Sequence, residues 1–367
     1  MAAAPSDTGL AESAPSSLRV TRIEVEGLFE QFDHIIPLNQ KERVTVLHGP
    51  NGVGKTKVLE MTKAALTATG DAFVHVPFRF FDLHFSDGQL VRVFLNEKGE
   101  PVSEVVVKLP CRLVETQRLL RIKKEIFNQT AVSLRVAEVA TGLAQIFEQV
   151  MAEYGRDSQA LDRSYPQRVI AKGKGPILAA DALKARLEAL GKLQTDFQAL
   201  GILDPGDVAP PDLSSLESLD ATERRAMTLY VVDTEQKLSV LRGFAEKLQL
   251  FLRVTPQFLR KRLRFDRKVG LVVENDAGKP LPLDVLSSGE QHQLVLNYEL
   301  LFATQPNTLV LIDEPELSLH VSWQKKFLPN MIDVARVAQI DIVVGTHSPF
   351  IIGDRADLMV ALGGEAV

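Results

Sequence analysis

The chain has little that would stabilise a secreted protein or anchor one in a membrane. Only one of its 367 residues is a cysteine, Cys111, which excludes an internal disulfide and is typical of a reducing cytosol. No run reaches the roughly 18–20 apolar residues that a membrane helix needs. Residues 1–17 lack a basic start and an apolar core, so we expect a disordered tail and no secretory signal. These absences predict a cytoplasmic protein without a membrane partner.

Metal-binding histidine motifs and a net positive charge are also missing. The 7 histidines are scattered, and there is no HExxH or paired CxxC sequence, so we predict no zinc site. The formal net charge of −5 excludes a general polyanion binder, and any nucleic acid would have to bind a local patch. The 45% apolar content is enough for a sizeable core in roughly two domains, or in one domain with a large insertion.

The order of strand and helix patterns predicts an α/β head that is split by a helical insertion. Strand-like runs dominate residues 18–116, and a helix is predicted from Lys55 to Thr67. Residues 117–264 have helical spacing, which predicts long helices in a bundle or a short antiparallel coiled coil; strand patterns then return. We therefore divide the chain into a tail (1–17), the first part of the head (18–118), the insertion (119–264) and the second part of the head (265–367).

A phosphate-binding sequence follows the third predicted strand. "GPNGVGKT" fits G-x-x-x-x-G-K-[ST] and opens a helix, which is the context that this motif requires. Backbone N–H groups and the partial positive charge of a helix N-terminus bind phosphate oxygens. We expect Lys55 to reach the β- and γ-phosphates and the Thr56 hydroxyl to bind Mg²⁺. The predicted ATP-binding loop, called the phosphate loop below, consists of Gly49, Pro50, Asn51, Gly52, Val53, Gly54, Lys55 and Thr56.

Two further strands end in residues suited to phosphate chemistry. "TLVLIDEPE" delivers Asp313 and Glu314, called the acid pair below, to the end of a buried strand, where ligands of open α/β sheets bind. Asp313 would hold Mg²⁺, and Glu314 would polarise the water that attacks the γ-phosphate. "VVGTHSP" places His347 at a second strand end, where it would hydrogen-bond the γ-phosphate. A lone histidine at a strand end is otherwise usually structural.

Together with "LSSGE", these motifs resemble the ATPase heads of the ABC type, in which this sequence is the signature. Asp313 lies 25 residues after Ser288, and His347 lies 34 residues after Asp313, as in that family. In such heads two subunits enclose ATP between the phosphate loop of one and the signature of the other. The resemblance therefore implies a head-to-head dimer, with ATP contacts from Ser287, Ser288, Gly289 and Glu290. Read by themselves, Ser287 and Ser288 are candidates for an ordinary helix N-cap.

The details resemble the SMC/RecF/OLD-like class, and the OLD-like group in particular. "GPNG", "DEPELSLH" and "THSP" carry this resemblance, which covers about 220 residues. It implies that residues 316–320 cross the dimer interface and that Gln117 senses Mg²⁺ and nucleotide. Ser288 replaces a common glycine, and Lys57 replaces a common Ser or Thr. Because 20 residues follow His347, we expect any nuclease or toxin effector to be a separate protein, with anti-phage defence as the setting.

One basic run contrasts with the negative net charge. "RVTPQFLRKRLRFDRK", residues 253–268, holds seven basic residues and one acid. Two explanations are open. The charges are solvated or ion-paired, or Arg260, Lys261 and Arg262 bind DNA or RNA. A second basic cluster is expected at the same root of the insertion, at Arg118, Arg121, Lys123 and Lys124.

Three functions stay open from the sequence. The first is an ATPase whose head dimerisation controls an effector. The second is a DNA repair or recombination ATPase that uses the basic run. The third is a nucleotide-gated scaffold in which the acid pair is idle. A transport ATPase fits least, because the helical insertion is large and no membrane-coupling segment is evident.

Overall fold

The computed structural model describes residues 18–103, 105, 107–115, 130–170, 177–204, 213–259 and 261–363. The chain forms two compact units. Unit 1 comprises Met1–Thr116, Gln305–Leu317 and Gln339–Val367, and unit 2 comprises Gln117–Thr304 and Ser318–Ala338. This division differs from the one drawn on the sequence, because residues 265–304 and 318–338 pack with the helical segment. No helix in the described ranges is long and apolar enough to span a bilayer.

Strands and helices alternate along much of the chain. The strands are β1 (Val20–Leu28), β2 (Phe32–Pro37), β3 (Val44–His48), β4 (Phe80–Phe85), β5 (Leu90–Leu95), β6 (Pro101–Ser103), β7 (Cys111–Glu115), β8 (Arg262–Asp266), β9 (Gly270–Glu274), β10 (Pro280–Leu281), β11 (Leu309–Asp313), β12 (Asp341–Thr346) and β13 (Met359–Ala361). The α-helices are α1 (Lys55–Thr67), α2 (Thr130–Ile170), α3 (Ala180–Ala199), α4 (Ala221–Val254), α5 (Ser288–Tyr298), α6 (Val321–Ala338) and α7 (Pro349–Ile352). Short 3₁₀ segments lie at Asp71–Phe73, Leu213–Ser218, Thr255–Phe258, Leu283–Val285, Pro315–Ser318 and Ala356–Leu358, and a π-helical segment lies at Glu299–Ala303.

Unit 1 contains two five-stranded sheets. The first is antiparallel, in the order β2-β1-β4-β5-β6, and side chains alternate between buried and more exposed along most of β2 and β5. The second is entirely parallel, in the order β13-β3-β12-β11-β7. Its central strands are continuous apolar runs, which is the pattern of strands covered on both faces. The helix predicted at Lys55–Thr67 is α1, with those bounds.

A shared apolar core holds the two sheets and α1 together. It contains side chains from both sheets and from the helix, and those that are fully buried include Ile23, Leu47, Leu59, Phe81 and Leu311. Two turns of the antiparallel sheet have glycines in the left-handed region, Gly88 at φ 86° and Gly99 at φ 76°. The core therefore fixes the strand ends from which the motifs emerge.

Unit 2 is built on three long helices and a three-stranded sheet. Helix α4 packs against α2 and α3, and β9 packs against α2. Asp220 caps α4 in a capping box with Glu223, which satisfies donors at the start of a helix of 34 residues. The strands β10-β9-β8 form an antiparallel sheet.

The signature sequence belongs to unit 2. It opens α5, which contacts α2 and continues directly into the π-helical segment. Ring contacts connect this region with α2 and α4, through Phe147, Phe244, Phe251, Phe265, Tyr298 and Phe302. The end of α5 and the π-helical segment thus pack against the aromatic core of the helical unit.

Candidate functional site

The parallel sheet of unit 1 brings three predicted motifs to one edge. Strand β12 lies between β3, which leads into the phosphate loop, and β11, which ends at the acid pair. Gly345 of β12 lies opposite Leu47 of β3 and opposite Asp313 of β11. Because parallel strands in register end at the same edge, the phosphate loop, the acid pair and His347 lie together at their carboxyl ends.

The phosphate loop is held in a conformation that needs glycine. Gly52 and Gly54 have φ values of 91° and 96°. A Cβ on Gly54 would lie 2.4 Å from Leu28 Cδ2, so a side chain there would also clash. The buried His34 binds the Val53 carbonyl through Nε2 at 2.8 Å. Helix α1 begins immediately after and has no acidic residue in its first turn, so its N-terminal partial positive charge is not offset there.

Lys55 is buried within the phosphate loop. Its Nζ donates hydrogen bonds to the carbonyls of Gly49 at 2.7 Å and Pro50 at 2.9 Å. Burial lowers the pKa of Lys55, although the carboxylates of Glu314, Asp313 and Glu316 oppose that shift. The ammonium group therefore lies close to the acid pair, and a phosphate in the loop would give it a stronger partner than the two carbonyls.

Thr56 and Asp313 form the predicted metal-binding pair. Thr56 Oγ1 donates a hydrogen bond of 2.8 Å to Asp313 Oδ2. The pKa of Asp313 is raised to about 6, chiefly by burial and also by the charges of Glu314, Glu316 and Glu60, while the hydrogen bond from Thr56 opposes the shift. A hydroxyl beside a carboxylate offers the oxygen ligands that Mg²⁺ prefers, and a dication would relieve the crowded negative charge. These residues fit a magnesium ion.

Glu314 has a backbone conformation that is rare for glutamate. Its φ is 46°, and its N–H donates to the carbonyl of Gly345 at 2.8 Å. Such strain persists only where surrounding contacts enforce it, and it is common at active sites. Gly345 also makes room for the acid pair, because a Cβ there would lie 3.1 Å from Asp313 Oδ1. The sheet edge therefore sets the direction of the Glu314 side chain.

Glu316 is a residue of this site that the sequence pattern did not predict. The resemblance assigned it to a loop that crosses a dimer interface, but it is buried within its own unit. It accepts hydrogen bonds from Thr346 Oγ1 at 2.7 Å and from the backbone N–H of His347 at 2.9 Å. Its Oε2 is buried with no hydrogen-bond partner in the part of the chain that the structure describes. The sequence shows a third acid in "DEPE" but not that this acid turns inward.

His347 lies beside the acid pair. Its Nδ1 is 3.1 Å from Glu316 Oε1 and 3.9 Å from Glu314 Oε1, and 42% of its side chain is exposed. When Nδ1–H donates to Glu316, Nε2 is the ring nitrogen that remains for a ligand. The predicted phosphate contact therefore falls on Nε2.

The signature sequence forms a complete helix cap in unit 2. Ser287 is the N-cap of α5: its Oγ accepts from the Glu290 N–H at 3.4 Å, and its own N–H donates to Glu290 Oε2 at 2.7 Å. Glu290 is buried and also receives two hydrogen bonds from Lys261. Within this chain Glu290 therefore serves the cap, and its predicted contact with ATP stays a prediction. Ser288 is exposed and Gly289 is half-buried at the start of the helix.

The basic run is largely paired with acidic side chains. Ion pairs join Arg253 to Asp333, Lys261 to Glu290, Arg264 to Glu274 and Arg267 to Asp204. Arg262 and Lys268 are exposed. This pattern favours the ion-pair explanation for Lys261. Several predicted residues lie outside the described ranges, namely Gln117, Arg118, Arg121, Lys123, Lys124 and Arg260.

Comparisons with known proteins give one family match and several similar structures. Residues 216–353 match the family described as "AAA domain, putative AbiEii toxin, Type IV TA system". No curated protein matches the chain. The SMC head domain of Pyrococcus furiosus, with an extended coiled coil and bound to the C-terminal domain of ScpA, is 12% identical with a TM-score of 0.43, over 94% of this chain and 93% of that one. The SMC head domain of Thermotoga maritima is 13% identical with a TM-score of 0.42, over 94% of each chain.

The family match includes three of the four motifs on which the resemblance was based. The signature sequence, the acid pair and His347 all fall within residues 216–353, and the phosphate loop precedes them. The parallel sheet brings that loop to the same edge as the acid pair and His347. This match to an AAA domain over residues 216–353 agrees with the predicted ATPase head.

Proposed function

We propose that the protein binds ATP with Mg²⁺ at the carboxyl edge of the parallel sheet and hydrolyses it. The observation that carries this proposal is the register of β3, β12 and β11, which brings the phosphate loop, the acid pair and His347 together. A buried lysine, a strained glutamate and a partly exposed histidine at one edge are the groups that phosphoryl transfer to water needs.

Binding depends on the phosphate loop and the magnesium ligands. The loop and the start of α1 receive the phosphates, and Lys55 contacts the β- and γ-phosphate oxygens. Thr56 and Asp313 hold Mg²⁺, which when bound neutralises negative charge on the phosphate oxygens. The raised pKa of Asp313 supports this assignment, because the carboxyl group is buried among like charges.

Hydrolysis depends on the two residues that follow the strand ends. Glu314 orients the attacking water and accepts its proton as the water oxygen bonds to the γ-phosphorus. His347 contacts a γ-phosphate oxygen through Nε2. Glu316 positions His347 by accepting its Nδ1–H, and the 3.1 Å distance between these groups supports this role. The bond from the γ-phosphorus to the bridging oxygen breaks, and ADP leaves with that oxygen.

The signature of a second copy completes the site in this proposal. Ser287 and Glu290 satisfy each other in the capping box, which leaves the exposed Ser288 hydroxyl and the first N–H groups of α5 for an anion. ATP would join two heads, and hydrolysis would release them. Gln117 keeps its predicted role as a sensor of Mg²⁺ and nucleotide.

The biological role proposed is control of a separate nuclease or toxin effector in anti-phage defence. The family matched by residues 216–353 is described with a toxin and a type IV toxin–antitoxin system, which favours this setting over DNA repair. The pairing of Lys261 also removes one of the three cations on which the DNA proposal depended.

The test of this function is the variant Glu314→Gln. We expect ATP turnover to fall by about 10²–10⁴-fold, which is the usual contribution of a general base, while ATP binding persists. Size-exclusion chromatography with light scattering should show a stable dimer with Mg-ATP. The matched control Glu97→Gln, at an exposed turn, should behave as the parent does.

Two outcomes would contradict parts of the proposal. Equal turnover in Glu314→Gln and the parent would remove Glu314 from the chemistry and favour a nucleotide-gated scaffold. A monomer under all nucleotide conditions, together with normal turnover, would eliminate the shared site while leaving ATP hydrolysis intact.

A further inference from the structure

The signature cap is tied to a lysine from the return of the helical segment. Helix α4 ends at Val254, a 3₁₀ segment follows at Thr255–Phe258, and Lys261 immediately precedes β8. Lys261 Nζ donates to Glu290 Oε1 at 2.9 Å and to Oε2 at 3.1 Å. The side chains are 19% and 7% exposed, so this is a largely buried pair and not a solvated surface contact.

Glu290 has two tasks that compete for the same carboxylate. Besides the two hydrogen bonds from Lys261, its Oε2 accepts the Ser287 N–H, while its own N–H donates to Ser287 Oγ. Burial would raise the pKa of Glu290, but the hydrogen bonds from Lys261 and Ser287 and the lysine charge outweigh it, so the pKa is lowered. The carboxylate is therefore kept ionised at the cap by its partners.

We propose that Lys261 is a positioning residue that holds Glu290, and through it the Ser287–Gly289 corner, in the conformation that receives the triphosphate bound by a second copy. This inference rests on the proposed function. Lys261 acts through Glu290 and does not touch the nucleotide. Of the two explanations that the sequence left open for Lys261, it follows the ion pair and not nucleic-acid binding.

The charge balance explains why the lysine matters to the corner. Without Lys261, a buried carboxylate would lose the cation that donates two hydrogen bonds to it. A buried charge that loses its partner is strongly unfavourable, so Glu290 would turn toward solvent or take up a proton. Either change weakens its bond to the Ser287 N–H and disorders the first turn of α5, where Ser288 and Gly289 lie.

The neighbouring residue supplies a matched control. Arg262 carries the same charge one position later, is exposed, and lies at the first position of β8. Lys261→Met and Arg262→Met each remove one positive charge from the same stretch. A general loss of charge would affect both variants equally, whereas a loss of corner geometry would affect only Lys261→Met.

Each variant is made in two backgrounds. ATP-dependent dimerisation is measured in chains that also carry Glu314→Gln, and turnover is measured in chains that keep Glu314. We expect Lys261→Met to raise the ATP concentration for half-maximal dimerisation by about tenfold, the effect of one charged hydrogen bond, and to lower turnover similarly. Binding of a fluorescent ATP analogue to the monomer should change less than about twofold, because the phosphate loop is intact. In all three measurements Arg262→Met should match the chain of the same background in which Lys261 and Arg262 are unchanged.

A double variant tests the mechanism through rescue. Lys261→Met/Glu290→Gln removes both charges, and glutamine serves at the third position of a capping box as glutamate does. Dimerisation should return to within about threefold of the parent, because the pair leaves no uncompensated charge and the corner is capped again. The melting temperature of each variant separates this effect from unfolding. If Lys261→Met does not fold, Lys261→Gln takes its place.

Each outcome decides the inference. Equal dimerisation in Lys261→Met and the parent, or a failure of the double variant to recover, overturns it. Loss of ATP-analogue binding by the monomer overturns it as well, because the effect would then not be confined to the corner. If the Glu314→Gln parent itself shows no ATP-dependent dimer, the proposed function fails, and this inference fails with it.

Discussion

The sheet edge of unit 1 and the signature cap of unit 2 solve opposite electrostatic problems. At the sheet edge, three carboxylates lie near one buried lysine, the pKa of Asp313 is raised to about 6 by burial and like charges, and the pKa of Lys55 is lowered by burial. At the cap, one carboxylate is matched by one lysine, and the pKa of Glu290 is lowered. The first region carries surplus charge, and the second is balanced.

This difference indicates what each region needs from a ligand. Surplus buried charge destabilises the folded protein, and because the surplus at the sheet edge is negative, a bound dication would restore the balance. A balanced cap needs no ion and instead presents a fixed set of neutral donors at the start of a helix. The strained φ of Glu314 belongs with the first region, because strain and unbalanced charge both oppose folding.

Among the variants that change the charge balance of the two regions, the largest effect is expected from Asp313→Asn. Loss of a magnesium ligand should lower Mg²⁺-dependent turnover by about 10²–10³-fold, as removal of one electrostatic stabiliser does. Without nucleotide, however, the variant should be more stable. The folded chain holds a proton between the ordinary pKa of Asp313 and about 6, so this carboxylate opposes folding at neutral pH. We expect a gain of about 1–3 kcal/mol in urea unfolding at pH 7.

A paired aspartate at the opposite end of the neighbouring strand is the control. Asp341 is bound by Arg19 at 2.9 and 2.5 Å, and both side chains are largely buried. Asp341→Asn should therefore destabilise the protein, the reverse of Asp313→Asn. If both variants shift stability in the same direction, surplus charge does not distinguish the sheet edge.

An intermediate effect is expected from Glu316→Gln. The amide keeps an acceptor for Thr346 but weakens the charged contact with His347 Nδ1. Turnover should fall by about 10–100-fold with KM for ATP little changed, since this contact assists the transition state and not ground-state binding. Steady-state kinetics measures both constants. A rise in KM with unchanged kcat would mean that Glu316 serves binding instead.

The last effect is on stability alone and concerns the behaviour of the signature helix in acid. Burial lowers the pKa of His292 to about 4, so its neutral form is favoured in the folded chain. Between pH 6.5 and 4 the unfolded chain binds the additional proton, and this residue therefore costs stability as the pH falls through that window. When the pH is lowered from about 7 to 4.5, the free energy of unfolding should fall in both chains. The fall should be smaller in His292→Gln than in the parent, by up to about 3 kcal/mol.

Paired urea titrations at those two pH values measure this difference. His75→Gln serves as the control, because His75 is exposed. If the parent and His292→Gln lose the same free energy of unfolding between the two pH values, His292 is not held neutral in the folded chain. The signature helix would then carry an additional positive charge in acid.

Local pattern predicted the elements and motifs that depend on neighbouring residues. The bounds of α1, the turns at Gly88 and Gly99 and the placement of the acid pair at a strand end follow from spacing, glycine conformation and apolar runs. The helix cap at Ser287 was also among the predicted alternatives, because a capping box lies within four residues.

The partners of charged side chains could not be predicted in this way. Glu316 was placed in an interface loop, yet it is buried against Thr346 and His347, 30 and 31 residues later in the chain. The sequence left Lys261 open between an ion pair and a nucleic-acid patch and could not name a partner; it pairs with Glu290, which is 29 residues away. A charge run has the same sequence whether its members face solvent or a buried acid, so burial decides its role.

The sequence by itself determined that this chain carries a phosphate loop, an acid pair and a signature helix, because each is encoded within a short run of consecutive residues. Only the tertiary structure decided that β12 lies between β3 and β11, and that Glu316 and Lys261 turn inward. The physical reason is that strand order and buried ion pairs join distant residues, and their free energy depends on desolvation that appears only when the core has formed.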